Sequence, residues 1–247
     1  MTVAPPPAET DAPPEILGWV YRQFERPVIV ASFQAESGVL IDMASRLSDR
    51  VEVITLDTGR LPDETYAVID RFRERYPSVR IRMESPDAPQ LRRLTDEHGA
   101  NLFYRSVELR RLCCDVRKSQ PLARALRGHD AWITGLRRDQ GATRATTPLV
   151  AEDRAHGGIA KVAPLAAWCH DQVWEYLREH DVPTHALYDR GYTSIGCAPC
   201  TRPTAPGEDE RAGRWWWERD EVKECGLHWS PDGRPVPASG PRNDLQE

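Results

Sequence analysis

The stretch Pro27-Val-Ile-Val-Ala-Ser-Phe33, with Gln34-Ala-Glu-Ser-Gly38 and Val39-Leu-Ile-Asp-Met-Ala-Ser-Arg-Leu47 after it, decides how this chain folds. Its first seven residues are a near-continuous apolar run of strand length, the pattern of a strand buried on both faces. Residues 34–38 read as a polar turn. In residues 39–47 the apolar positions recur with helical spacing. A comparable unit follows: Val51-Glu-Val-Ile-Thr-Leu56 as a strand, Asp57-Thr-Gly-Arg60 as its turn, and residues 63–76 as a helix. Residues 79–83 and 131–136 supply a third and a fourth strand, and residues 15–24 a short amphipathic helix before the first. Strands alternating with helices at this spacing predict an α/β fold, a mostly parallel twisted sheet with helices on both faces. Ligands of such sheets sit beyond the carboxyl ends of the strands. The turns at 34–38, 57–60 and 137–144 are therefore expected to surround one site.

Outside that frame the composition is ordinary for a globular chain: 247 residues, 33 Lys and Arg against 38 Asp and Glu, a net charge of −5 and 40% hydrophobic residues. No apolar run approaches the ~20 residues of a membrane span. The acidic, proline-rich start has neither a basic nor an apolar leader region, so the expected location is the cytoplasm, where thiols stay reduced. Five of the 21 prolines fall in residues 1–14, which are expected to be disordered. Residues 15–229 read as one domain. Its last part, about 190–229, is an irregular appendage rich in Gly, Pro, Trp and Cys, and residues 230–247 read as a disordered tail. The overall acidity gives no reason to expect nucleic-acid binding.

Charge is uneven within the domain. Residues 105–144 carry ten basic side chains against four acids, so that window is +6 and the remainder −11. A confined basic region in an acidic protein reads as a pocket for a small anion; the plainer reading is a solvated helix face.

The cysteines carry the sharpest pattern: Cys113-Cys114, Cys197-Ala-Pro-Cys200, Cys169, and Cys225 alone in Glu224-Cys-Gly-Leu-His228. Four thiolates suit a cubane iron–sulfur cluster or a structural zinc ion. Neighbouring side chains on a helix diverge by about 100°. A cluster several ångströms across accepts two divergent sulfurs more readily than one compact ion does, which favours iron–sulfur. Unrelated buried thiols are the alternative. Cys225 sits apart, with Lys223 and His228 nearby, cationic neighbours that lower a thiol pKa and suit a nucleophile, while Glu221 and Glu224 oppose that shift unless the substrate site supplies positive charge; a further ligand or an inert thiol is the other reading. Cys169, at a helix start, reads as core, and Trp215-Trp-Trp217 as packing. His228 reads equally as a partner of Cys225 or as a local structural hydrogen bond. Asp57, at a strand end, reads as a ribose or phosphate contact by position.

The segments Leu112-Cys-Cys-Asp-Val-Arg-Lys118, Gly135-Leu-Arg-Arg-Asp-Gln140, Ser194-Ile-Gly-Cys-Ala-Pro-Cys-Thr201, Arg211-Ala-Gly-Arg-Trp-Trp-Trp-Glu218 and Lys223-Glu-Cys-Gly-Leu-His228 resemble the assimilatory adenylyl-sulfate (APS) reductases. The paired-cysteine and C-x-x-C motifs resemble the cluster-bearing branch of the APS and phosphoadenylyl-sulfate (PAPS) reductases, within the adenine-nucleotide alpha-hydrolase-like folds.

The resemblance implies a [4Fe–4S] cluster on Cys113, Cys114, Cys197 and Cys200, with Lys118 close to both cluster and substrate. It implies that Arg211 and Arg214 hold the phosphosulfate, that Arg137, Arg138 and Arg144 lie near the nucleotide and its anion, and that Cys225 is the catalytic nucleophile. The turn from Ala31 to Gly38, including Ser32 and Glu36, resembles the family's phosphate loop. Gln34 and Ala35 stand where relatives have glycines, which argues against an ATP pyrophosphatase. The activity implied is reduction of adenosine 5'-phosphosulfate to sulfite and AMP through an enzyme S-sulfocysteine, with thioredoxin as reductant, in cysteine biosynthesis. A PAPS reductase is the nearest alternative. A cluster-containing tRNA-thiolating enzyme would need an intact Ser-Gly-Gly-x-Asp-Ser loop, and a non-catalytic zinc module leaves Cys225 without a purpose. The sequence is compatible with a homo-oligomer.

Overall fold

The structure, a computed structural model, describes residues 5–218. In chain order it contains α1 (Pro13–Gln23), β1 (Pro27–Val30), α2 (Ala35–Leu47), β2 (Glu52–Leu56), α3 (Asp63–Arg75), β3 (Arg80–Glu84), α4 (Ala88–His98), α5 (Val107–Cys114), α6 (Gln120–Ala125), β4 (Ala131–Ile133), β5 (Val150–Asp153), β6 (Ile159–Val162) and α7 (His170–Glu179). The six strands form one sheet in the order β3-β2-β1-β4-β6-β5. Every neighbouring pair is parallel except β5 with β6. This is the mostly parallel α/β sheet expected.

The two faces follow from strand periodicity. Ile29 and Val53 point to the side covered by α1, α2, α3 and α7, whereas Val28, Ile54 and Trp132 meet Leu122 and Ala125 of α6 on the other. Val28 and Ile29 are both completely buried. Each such side chain contributes about 1.5–3 kcal/mol on leaving water. The order explains the layering. Right-handed crossovers that march β1 to β2 to β3 place α2 and α3 on one face, and the reversal to β4 places α6 on the other. The reversal lies between β1 and β4, where doubly wound sheets open a crevice.

Several local features differ from expectation. The turn after β1 is shorter, because α2 starts at Ala35 instead of Val39. Phe33 makes that turn in the left-handed region, at φ 56°. Its ring is buried and meets Phe72 edge-on at 5.3 Å, and this packing offsets a backbone strain of about 1–3 kcal/mol. The β5–β6 hairpin was not anticipated: its strands are four residues each, too short for a periodic signal. Cys169 is exposed, not core, since it occupies the N-cap of α7 and its N–H donates to Gln172 Oε1 at 2.8 Å. Within residues 5–14, α1 already begins at Pro13, and Glu9 accepts a hydrogen bond from Arg138. Among the described residues no helix is long and apolar enough to cross a membrane.

Candidate active site

An open cleft with about 1230 Å³ of free space lies at the β1/β4 reversal. Residues after β1 (Ser32, Gln34), after β2 (Thr58) and after β4 (Gly135) wall it, so the expected turns converge. The convergence is tight. A Cβ added to Gly135 would stand 2.7 Å from Glu36 Cβ, so only glycine lets the end of β4 approach the start of α2 this closely.

The loop from Ser32 to Ser37 is held by side chains where a glycine-rich loop would wrap a phosphate. Gln34 donates to Ser32 Oγ at 3.0 Å and accepts from the Ile195 N–H at 2.6 Å. Ser37 Oγ accepts from the Ser32 N–H at 3.1 Å, and the Ala35 N–H donates to the Tyr188 hydroxyl at 2.8 Å. Gln34 thus ties this loop to the segment that carries Cys197 and Cys200.

Lys118, Arg144, Arg211 and Arg214 line the cleft, against the acids Glu36 and Glu210. Arg137 is 1% exposed behind the wall and donates to Glu36 at 2.9 Å and Glu210 at 3.2 Å, and it also pairs with Asp139. The acids are neutralised from behind, which leaves the cleft with an excess of positive charge. Burial, reinforced by Glu36, raises the Glu210 carboxyl above its ordinary pKa despite Arg137. Of the expected substrate contacts, Ser32, Glu36, Lys118, Arg144, Arg211 and Arg214 therefore line the cleft. Arg137 does not, because three carboxylates hold it behind the wall. Arg138 does not, because it reaches the Thr147 carbonyl and Glu9. Asp57 does not, because it accepts from the Gly59 N–H of its own loop and from the Tyr66 hydroxyl of α3. Cys225 and His228 lie outside the described residues.

A second, smaller cavity of about 330 Å³ adjoins the cleft. Cys113, Cys114, Cys197 and Cys200 all line it, each 6–8% exposed. Arg60, Arg117 and Lys118 stand around it too. Lys118, Cys197 and Trp215 belong to both cavities, so one wall separates them. Among the described residues no three His, Cys, Asp or Glu side chains converge as a single metal ion requires. Four thiols around one cavity are donors that could hold a polynuclear group. Burial opposes ionisation of Cys197, but Lys118, a hydrogen bond from Thr58 (3.3 Å) and Arg214 outweigh it and hold its pKa below the ordinary thiol value. Burial pushes Cys200 up to about 12.

The local sequence explains how the thiols meet. α5 runs into a π-helical turn, Asp115–Ser119, and then into α6, where Pro121 is the second residue. Proline clashes with the carbonyl four residues before it, here that of Arg117, and a widened turn relieves the clash. Arg117 then donates to the Thr58 carbonyl at 2.5 Å. On the facing side Ala198–Cys200 forms a 3-10 turn whose Ala198 N–H donates to the Arg60 carbonyl at 2.8 Å. A Cβ on Gly196 would fall 2.2 Å from Arg214 Nη2, so any side chain there would displace the guanidinium that crosses the chain.

Trp215 closes this half. It is buried, in the left-handed region at φ 44°, between the guanidinium groups of Arg110 (4.6 Å) and Arg214 (4.9 Å). Trp217 packs on Tyr104 at 4.5 Å, while Trp216 is 49% exposed. Arg110, fully buried, donates to both oxygens of Glu218 at 2.9 and 2.8 Å. Sequence reasoning missed this pair, Thr58 and Gln34.

A doubly wound α/β sheet with a cationic cleft at its reversal point is the architecture of the adenine-nucleotide alpha-hydrolase-like folds. The same fold occurs in the FMN adenylyltransferase of Candida glabrata in complex with FAD and pyrophosphate, with a TM-score of 0.56, 14% identity and coverage of 88% of this chain and 78% of that one. The chain belongs to the phosphoadenosine phosphosulfate reductase domain family, whose model matches residues 26–203. The adenosine 5'-phosphosulfate reductase of Allochromatium vinosum is 46% identical over 222 residues, 90% of this chain and 86% of that protein. The PAPS reductase from Candida auris, solved as a phosphate complex, superimposes with a TM-score of 0.65 at 27% identity, covering 78% of this chain and 91% of that one.

Proposed function

We propose that this chain reduces adenosine 5'-phosphosulfate to sulfite and AMP, with Cys225 as nucleophile and a dithiol protein of the thioredoxin type as reductant, in assimilatory sulfate reduction. The observation that carries this reading is the shared wall: Lys118 faces the cationic cleft and the four-thiol cavity at once. The fourfold thiol set, its cavity and the cations around it fit a [4Fe–4S] cluster on Cys113, Cys114, Cys197 and Cys200. Such a cluster supplies a polarising charge beside the substrate.

The residues of the chain account for the remaining steps. Lys118, Arg144, Arg211 and Arg214 bind the two adjoining anionic groups of the substrate and stabilise charge that develops on the bridging oxygen. The Cys225 thiolate attacks the sulfate sulfur, a new S–S bond forms, the S–O bond breaks, and AMP leaves with the bridging oxygen. A thiolate of the reductant attacks the Cys225 sulfur and releases sulfite, which takes the electron pair of the broken S–S bond. The second thiol of the reductant resolves the resulting mixed disulfide, frees Cys225 and leaves the reductant oxidised. Cys225 lies seven residues beyond Glu218, a reach of at most about 25 Å.

The test is anaerobic purification of the full chain with iron and sulfide quantified, followed by sulfite release from APS and from PAPS with thioredoxin. About four irons per chain and preference for APS are expected. A colourless protein overturns the cluster, and preference for PAPS overturns the substrate assignment.

A further inference from the structure

His185 is a buried imidazole that the proposed reaction does not use. It is 1% exposed, and its Nδ1 accepts a hydrogen bond from the Leu187 N–H at 3.2 Å. Burial lowers its pKa to about 4, so at neutral pH it is uncharged. An uncharged ring that accepts at Nδ1 carries its proton at Nε2. Nε2 lies 2.9 Å from Thr65 Oγ1, so in this pair histidine donates and threonine accepts.

The consequence falls on the threonine. Thr65 is 3% exposed, sits in the first turn of α3 and lines the nucleotide cleft. Among the described residues its hydroxyl has no second partner. With a lone pair already engaged by His185, the hydroxyl proton must find an acceptor elsewhere, and a buried donor without one costs about 1–3 kcal/mol. The open space beside it is the cleft.

We infer that Thr65 is a substrate-binding residue whose hydroxyl donates to an acceptor on the nucleoside part of the ligand, with His185 as the positioning residue that holds the hydroxyl in donor orientation. The inference rests on the nucleotide reading of the cleft. The charge distribution selects the nucleoside over the anionic end. The cleft residues contributed by β2, the loop after it and the start of α3 (Thr55, Leu56, Thr58, Leu61 and Thr65) carry no charge, while the four cations come from Lys118, Arg144 and the 211–214 segment.

The experiment is calorimetric titration of the full-length chain with AMP and with adenosine. Thr65→Val is expected to weaken both by roughly five- to tenfold. Thr65→Ser, which keeps the hydroxyl, is expected to stay within about threefold of the parent. Thr65→Ala reads the same loss if the valine chain fails to fold. His185→Leu is expected to weaken both ligands, and His185→Gln, which restores an N–H near Nε2, to recover most of the loss. In turnover, KM should rise while kcat changes less, since binding is lost before chemistry. A parent chain that binds neither ligand overturns the nucleotide reading itself. Unchanged affinity in Thr65→Val and Thr65→Ala overturns this inference alone. A loss confined to AMP overturns the nucleoside assignment by placing the hydroxyl on the phosphate. Equal losses for His185→Leu and His185→Gln overturn the positioning role.

Discussion

The two sides of the wall at Lys118 are built differently. On the nucleotide side, the positions of Ser32, Thr58 and Gly135 are set by strands β1, β2 and β4, which are paired in parallel and buried on both faces. On the thiol side, among the described residues, no strand of the sheet packs in the cluster that holds the cysteines. A proline-widened helix, a 3-10 turn and individual arginines hold them: Arg117 on the Thr58 carbonyl, Arg60 over Phe103, and Arg110 on Glu218. The contrast teaches that one half is organised by the cooperative hydrogen bonding of its backbone and the other by a few buried side-chain charges. Damage to single residues should therefore be tolerated unequally.

Four experiments break or sharpen that contrast. On the proposed nucleophile role, Cys225→Ser should lower sulfite release by roughly 10⁴-fold or more. Iron content measured on the same preparation should be unchanged; retained turnover would dismiss Cys225 as nucleophile. Glu218→Ala removes the carboxylate that accepts both hydrogen bonds from the fully buried Arg110 and should cost about 3 kcal/mol in denaturant unfolding. Removing Arg73, whose pairing with Asp70 is exposed on α3, should cost no more than about 0.5 kcal/mol. Equal losses would dissolve the contrast.

Lys118→Ala removes a charge from the common wall, so turnover should fall by about 10²–10³-fold. Iron content tells the two sides apart, since its loss with activity would make Lys118 structural. The last effect concerns acid. His185 has its pKa lowered by burial to about 4, against 6.5 when unfolded, so between these values the unfolded chain binds more protons. Stability should fall as pH drops from 6.5 to 4, by about 3 kcal/mol in total. Glu64, paired with Arg190, faces the ring and only partly offsets the burial. Urea midpoints of the parent and of His185→Gln across this range measure the effect, which should be absent in the variant.

The sheet was legible because residues 27–33 are a near-continuous apolar run of strand length and residues 51–56 repeat a strand, turn and helix unit after it. The four thiols were legible because Cys113-Cys114 and the Cys197–Cys200 spacing restrict where sulfurs can point. Pairings across long separations in the chain were not legible. Arg110 finds Glu218 and Thr65 finds His185 more than a hundred residues away, and neither leaves a local pattern. Arg137 and Arg138 are adjacent and alike in sequence, yet one is buried among carboxylates and the other reaches a carbonyl and Glu9, because successive side chains there leave the backbone in different directions. The turn at Phe33 was misjudged for a related reason: a left-handed residue without glycine is held by packing, here on Phe72, that only the folded chain reveals.

The π-helical turn at Asp115–Ser119 has a consequence for how this chain tolerates length changes. In a helix such a turn is the footprint of one residue inserted out of phase. A further residue inserted beside it would have no such slack to enter and would rotate everything upstream by about 100° relative to everything downstream. Cys113 and Cys114 lie upstream, Lys118 lies inside, and α6 lies downstream, docked on Val28, Ile54 and Trp132. With α6 held by the sheet, the phase error would fall entirely on the paired cysteines. The helical register from Val107 to Ala125 is thus as much a determinant of the site as any single residue in it.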